Sequence, residues 1–139
     1  MLVLSFSIVL AAGLSACASD SADVHSEAQE MHEGQTAMHG GMVLSAGSGH
    51  MEMVLDDGRF FIYPFDGDQR PHSMEGIGDA TATIESVDGE KHVVPLTMMG
   101  DHLMGTLPSG THEFTTAHVT MPMASETWSA SFHMGRESL

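Results

Sequence analysis

Histidine and methionine are the residues of this chain that could do chemistry. The sequence holds 10 histidines and 13 methionines, and of these only Met1 precedes residue 17. Imidazole and thioether are ligands that suit Cu(I), and they replace thiolates where an oxidising compartment makes thiolates unreliable. Methionine also fills hydrophobic cores because its side chain is flexible. Each methionine must therefore be assigned to a core or to a site by its position.

The first candidate metal site lies in the stretch from residue 39 to residue 65. His39 precedes two glycines, and His50 and Glu52 stand one residue apart in an apolar run. Alternate residues of a strand share a face, so His50 and Glu52 would lie together on the polar face. A carboxylate favours Zn(II), whereas nearby methionine favours Cu(I). We predict His39, His50 and Glu52 as the first candidates for metal ligands.

Two further histidine–methionine pairs extend the candidate set. His102 and Met104 are two residues apart in a predicted strand and would share one face. His72 and Met74 have the same spacing in a predicted loop, which could close on a site nearby. These four residues are the next candidates for ligands.

Other histidines and methionines are open to two interpretations. Met51 and Met53 could form a copper-binding pair, but the alternation favours core packing because they continue into Leu55. His118 and His133 could meet across a hairpin if its register is suitable, or they could be solvated strand residues.

Short apolar runs between turn signals predict the elements that position these residues. Strands are expected at residues 42–44, 50–55, 60–65, 80–87, 91–96, 102–107, 114–121 and 127–134. Asp-Gly pairs at 57–58 and 88–89 predict hairpins, and Pro64 indicates an edge strand or a bulge. Apolar and polar residues alternate around Trp128 and Phe132, which predicts that these two side chains lie in the core. No stretch keeps a helical period for three turns, so we predict an all-β fold, either a sandwich or a small barrel.

The N-terminus is typical of an exported lipoprotein. Residues 1–16 form an apolar run that ends in small residues, as in a signal peptide. Cys17 is the only cysteine of the chain and follows Leu-Ser-Ala, which resembles a bacterial lipobox, although no basic residue precedes it. An ordinary secreted protein with a stray cysteine is the alternative. The predicted organisation is a signal peptide at 1–16, a disordered tether at 17–38, a β-sandwich domain at 39–134 and a tail at 135–139.

Charge and motifs exclude several classes of function. The formal net charge is −15, which excludes a nucleic-acid binder that neutralises phosphates and argues against docking on anionic lipids. An acidic surface attracts cations or simply keeps the protein soluble. The sequence contains neither Gly-x-Ser-x-Gly nor His-Glu-x-x-His, and we predict no enzymatic activity.

Several short motifs resemble a known family. They read HGG at 39–41, GHME at 49–52, DG at 57–58, ATATI at 80–84, DG at 88–89, VVPL at 93–96 and HLMGTL at 102–107. Residues 39–134 are thereby similar to a small periplasmic β domain that accompanies heavy-metal efflux, including the N-terminal region of some adaptor subunits of heavy-metal RND pumps. The resemblance implies an immunoglobulin-like antiparallel β-sandwich, here of about seven to eight short strands, and a role around copper, zinc or related metals. The chain departs from the family by standing alone behind a lipobox and by its richness in methionine, which favours copper.

Two hypotheses from different classes follow. The first is a periplasmic lipoprotein, held on the outer membrane by acylated Cys17, that sequesters or delivers Cu(I) in heavy-metal resistance, with Zn(II) as the second metal. Its protein partner would be a heavy-metal efflux pump or a copper oxidase. The second is an envelope interaction module of an efflux or assembly complex, whose histidines and methionines are incidental.

Overall fold

The computed structural model describes residues 36–111 and 113–135. The predicted signal peptide, Cys17, the tether up to residue 35 and the tail from residue 136 lie outside the described residues. Within these residues there are nine strands and no helix. The strands are β1 (Met42–Ala46), β2 (Gly49–Asp56), β3 (Arg59–Phe65), β4 (Thr81–Ser86), β5 (Lys91–Pro95), β6 (Thr97–Met99), β7 (His102–Thr106), β8 (Phe114–Pro122) and β9 (Thr127–His133). No segment of the described chain forms a helix long and apolar enough to cross a membrane.

The strands form two antiparallel sheets that pack as a β-sandwich. The first sheet has five strands in the order β1-β2-β3-β7-β6, and the second has four in the order β5-β4-β8-β9. The all-β prediction is thereby confirmed. All eight predicted strands form within a few residues of their expected bounds. The ninth strand, β6, was not predicted, because its three residues are too few to show an alternation and all three are exposed.

The core lies between the two sheets and follows the predicted alternation. Met51 and Met53 are 0% and 2% exposed within it, as core packing requires. Trp128 and Phe132 are buried on the facing strand β9, as predicted. Leu55 is 45% exposed, because β2 ends one residue later at the turn that leads into β3.

Pro64 lies in β3, an inner strand of the five-stranded sheet, so of the two alternatives that Pro64 indicated, an edge strand or a bulge, the edge strand is wrong. It stands in β3, which is hydrogen-bonded to β2 on one side and to β7 on the other. The pairing with β7 ends at Ile62, before Pro64 is reached. Proline lacks a backbone N–H and therefore fits where no further ladder bond to β7 is made.

Candidate metal centre

Glu52 is the one buried charged side chain among the described residues, and it is fully buried. It lies on β2 between the core residues Met51 and Met53, so its side chain points to the outer face of the five-stranded sheet. Its Oε1 accepts hydrogen bonds from the backbone N–H groups of His39 and Gly41, each at 2.8 Å. Its Oε2 accepts the N–H of Met38 at 3.0 Å and lies 3.0 Å from Nδ1 of His39. We call residues 38–41 together with Glu52 the Glu52 clasp.

The two glycines of the HGG motif allow the chain to fold around this carboxylate. Gly40 has a φ of +78°, a left-handed conformation that costs glycine little. A Cβ atom on Gly41 would stand 2.2 Å from the carbonyl oxygen of Met53. Only glycine therefore lets the backbone approach β2 closely enough for the Gly41 N–H to reach Glu52. The motif has a structural reason that does not involve a metal.

The clasp holds the Glu52 carboxylate in its charged form. Burial alone would raise the pKa of Glu52, but the hydrogen bonds from Gly41, His39 and Met38 together lower it below its ordinary value. Hydrogen bonds to the charged form stabilise that form. The carboxylate is consequently ionised at neutral pH, and both of its oxygens are occupied by N–H donors.

The imidazole of His39 lies against the aromatic side chains of the outer face. Its ring stacks on Tyr63 with a centroid separation of 3.7 Å and an interplanar angle of 12°. Tyr63 stands directly opposite Glu52 in the β2–β3 register. Tyr63 also contacts the ring of His102, with the centroids 5.0 Å apart. The Tyr63 ring thus contacts both imidazoles.

His102 is held by the carboxylate that precedes it in the chain. Its Nδ1 lies 2.8 Å from Oδ1 of Asp101. The side-chain hydrogen bond from His102 is the largest cause that lowers the pKa of Asp101 below its ordinary value. Because an ionised carboxylate only accepts hydrogen bonds, Nδ1 of His102 carries the proton. In the neutral imidazole, Nε2 then keeps a lone pair that could bind a metal, as in the carboxylate–histidine–metal arrangements of many sites.

Two methionines share the outer face with His102. Met99 of β6 is directly opposite His102 in the β6–β7 register, and Cβ atoms of such pairs are about 4.5–5.5 Å apart. Met104 follows His102 by two residues on β7 and is opposite Phe61 of β3. Met99 is 44% exposed, and the side chain of His102 is 22% exposed. We call Met99, His102 and Met104 the Met–His–Met cluster.

The other predicted ligands make different contacts. Nδ1 of His50 lies 3.3 Å from the backbone oxygen of Asp66. Nδ1 of His72 lies 2.7 Å from the backbone oxygen of Ser73, and its ring is edge-on to Trp128 at 5.0 Å. Met74 is partly buried against the core. Of the predicted ligands, the structure thus brings His39 into direct contact with Glu52, and it places His102 and Met104 on one face.

The two histidines of the β8–β9 hairpin are not directly opposite each other. The register pairs His118 with Ser131 and His133 with Thr116, so the two rings are diagonal neighbours. Nδ1 of His118 lies 2.7 Å from Oγ of Ser131, and Nδ1 of His133 lies 3.3 Å from Oγ1 of Thr116. Each ring therefore contacts the hydroxyl opposite to it. The register does not pair the two histidines directly, which favours the alternative of two separate strand histidines.

No group of three or more histidine, cysteine, aspartate and glutamate side chains within residues 36–111 and 113–135 is arranged to hold a metal ion. Thioethers are not among these four residue types, so the Met–His–Met cluster is a separate candidate. Sequence reasoning found His102 and Met104 but missed Met99, which becomes a neighbour of His102 only through the register of β6. In comparisons with known proteins, no family model, no curated protein and no solved structure matches this chain.

Proposed function

We propose that this chain is a metal-binding lipoprotein of the bacterial periplasm that sequesters or delivers Cu(I) through the Met–His–Met cluster. The observation that carries the proposal is the register of β6 and β7, which sets Met99 directly opposite His102. Met104 lies on the same face of β7, two residues further along. Two thioethers and one imidazole thereby share a single patch of the outer face.

The chemistry of these three donors favours Cu(I) over other metals. Thioethers are soft ligands that select Cu(I), whereas Zn(II) prefers four thiolate, imidazole or carboxylate ligands. The carboxylate that could serve Zn(II), that of Glu52, already accepts four hydrogen bonds in the clasp. A Cu(I) ion at the cluster would meet Nε2 of His102 with its lone pair free, because Asp101 holds the proton on Nδ1.

Aromatic side chains line the cluster on the side of β3. Phe61 is opposite Met104 and lies edge-on to His102, with the ring centroids 5.5 Å apart. Tyr63 also contacts the His102 ring, with the centroids 5.0 Å apart. Aromatic edges make favourable contacts with thioether sulfur. These rings would shield one side of a bound cation from water, while the exposed Met99 leaves the other side open for exchange.

The net charge of the protein supports a role in cation capture. The formal charge of −15 raises the local concentration of cations around the surface. Asp101 contributes a carboxylate beside the cluster itself.

The experiment is an anaerobic competition for Cu(I) between the protein and a chromogenic chelator. Met99→Leu, Met104→Leu and His102→Ala should each weaken Cu(I) binding by at least about tenfold, because each removes one of three ligands. Met98→Leu is the matched control for Met99→Leu. Met98 is a neighbouring exposed methionine of β6 that pairs with the core residue Leu103, so it should leave the affinity unchanged. Equal affinities in wild type, Met99→Leu and His102→Ala would refute the assignment of the site.

The envelope location is tested separately through Cys17. Acylation of this residue would anchor the protein on the outer membrane, so wild type should partition into detergent. Cys17→Ala should remain soluble or unprocessed. Unchanged detergent partitioning of the mutant would contradict the anchor without affecting the Cu(I) proposal.

An envelope interaction module is the second candidate function. It is favoured by the edge strands β5 and β6, each of which carries an exposed apolar residue. Val93 of β5 is 69% exposed and Met98 of β6 is 46% exposed. Exposed apolar edge strands are templates for pairing with another chain. A wild-type protein that binds neither Cu(I) nor Zn(II) would favour this function over metal binding.

A further inference from the structure

We propose that Glu52 and His39 are positioning residues for the Cu(I) site: the Glu52 clasp fixes His39 on Tyr63, and Tyr63 in turn fixes the ring of His102. The inference rests on the proposed function, since it concerns the site at the Met–His–Met cluster. It assigns His39 and Glu52 a role that differs from direct coordination of the metal.

The clasp fixes the ring of His39. Its backbone N–H and its Nδ1 are both bonded to the Glu52 carboxylate, at 2.8 Å and 3.0 Å. Two hydrogen bonds from one residue to a fully buried carboxylate leave little freedom for the side chain. The ring consequently lies flat on Tyr63, 3.7 Å away between centroids.

Tyr63 connects His39 with His102. Tyr63 contacts both imidazoles, whereas the ring contacts of His102 are made with Tyr63 and Phe61. A ring covered on its face by His39 cannot rotate freely, and it therefore provides a fixed surface for His102. Asp101 also holds the same imidazole through Nδ1. The orientation of Nε2 is thus set by two contacts, one of which depends on the clasp.

Partners of this kind, which orient a ligand without touching the metal, affect metal affinity strongly. Their removal typically weakens binding by about 10–100-fold. The side chain of His39 is 37% exposed, so its substitution should leave the sandwich folded. This makes the role of His39 accessible to a matched pair of variants.

The matched pair is His39→Ala and His39→Phe. Phenylalanine keeps the backbone N–H bond to Glu52 and can stack on Tyr63 as imidazole does, but it loses the Nδ1 bond and cannot ligate a metal. Alanine can neither stack nor ligate. We expect His39→Ala to weaken Cu(I) binding by about tenfold and His39→Phe to bind nearly as wild type does. Glu52→Gln should resemble His39→Ala, because it releases the clasp.

A second measurement does not involve copper. In the metal-free protein, the ring carbon and proton resonances of His102 should shift in His39→Ala and return towards wild type in His39→Phe. The ring of His118, on the other sheet, should not shift in either variant. Amide exchange at residues 38, 39 and 41 reports in the same samples whether the clasp has opened.

The outcomes separate this inference from the proposed function. Loss of Cu(I) affinity in both His39→Ala and His39→Phe would overturn positioning and make His39 a ligand if the His102 resonances of metal-free His39→Phe match those of wild type. Unchanged affinity and unchanged His102 resonances in His39→Ala would also overturn it. If wild type binds no Cu(I), the proposed function fails. A shift of the His102 resonances in His39→Ala that is reversed in His39→Phe would still support the contacts from His39 through Tyr63 to His102. No shift in that case would overturn the inference as well.

Discussion

Glu52→Gln should destabilise the fold at neutral pH and make it less sensitive to acid. In wild type, each oxygen of the Glu52 carboxylate accepts two N–H donors, from Met38, His39 and Gly41. Glutamine keeps one oxygen and replaces the other by an NH₂ group, which is itself a donor. Two of the four donors would then face a donor instead of an acceptor.

The magnitude follows from these two lost bonds. A hydrogen bond to a charged group contributes about 1.5–3 kcal/mol, so the loss of two would cost about 3–6 kcal/mol if the donors stayed buried. Residues 38–41 lie at the surface of the sheet, and their N–H groups can regain water when the clasp opens. We therefore expect a loss of about 2–4 kcal/mol in the free energy of unfolding.

The pH dependence has a definite sign. The folded state lowers the pKa of Glu52 below the ordinary value of 4.5. The stability contributed by the carboxylate is therefore fully present above that ordinary value and is lost as the pH falls through the folded-state pKa. Glutamine does not titrate, so the difference between wild type and Glu52→Gln should shrink on acidification from pH 7 towards pH 3.

The assay is urea unfolding followed by the fluorescence of Trp128, the single tryptophan. Glu75→Gln is the matched control, because Glu75 is an exposed glutamate in the loop after β3, and it should change the stability by less than about 0.5 kcal/mol. The reasoning is refuted if Glu52→Gln is as stable as this control at pH 7, or if its deficit does not shrink in acid.

Three further outcomes follow from the structure. Trp128→Ala should cost about 3–5 kcal/mol of stability in chemical unfolding followed by circular dichroism, and native emission typical of exposed indole would contradict the burial of Trp128. Gly105→Ala should cost about 1–3 kcal/mol or more, because its Cβ would stand 2.2 Å from the ring of Phe60, whereas Gly67→Ala, with its nearest neighbour at 3.4 Å, should be nearly neutral. Cu(I) binding should be weakened but retained at about pH 5, because thioethers do not titrate. Zn(II) binding should disappear at that pH because imidazoles become protonated. Equal loss of both metals in the chelator competition would argue against methionine ligands.

The fold was predictable because its signals are local. Alternation of apolar and polar residues marks the strands, and Asp-Gly pairs mark two of the hairpins. β6 escaped prediction because a strand of three exposed residues has no alternation to read. The inner position of β3 in its sheet could not be predicted from the sequence. Pro64 fits an inner strand here because the pairing of β3 with β7 has already ended at Ile62.

The candidate site was predictable only in part because its contacts join distant residues. Alternation predicted that Glu52 lies on the polar face of its strand. Its burial, however, depends on Met38, His39 and Gly41, which precede it by 11 to 14 residues and fold back onto it. Met99 likewise becomes a neighbour of His102 only once the β6–β7 register is known. No periodic pattern encodes a register between two strands or the return of a loop onto a sheet.

The Glu52 clasp also bears on which metal the protein would take. Histidine and carboxylate in one motif look like a Zn(II) site, but here the carboxylate accepts four N–H bonds and the imidazole donates one of them. Coordination by Glu52 would require these bonds to break, at a cost of about 1.5–3 kcal/mol each. Among the described residues no hydrogen bond engages the thioethers of Met99 and Met104, and in the neutral imidazole of His102 the Nε2 atom keeps its lone pair while Asp101 holds Nδ1. The Glu52 carboxylate is thus engaged in holding the structure together, while the two thioethers beside His102 are left for a metal, which is the physical reason to expect Cu(I) before Zn(II) at this face.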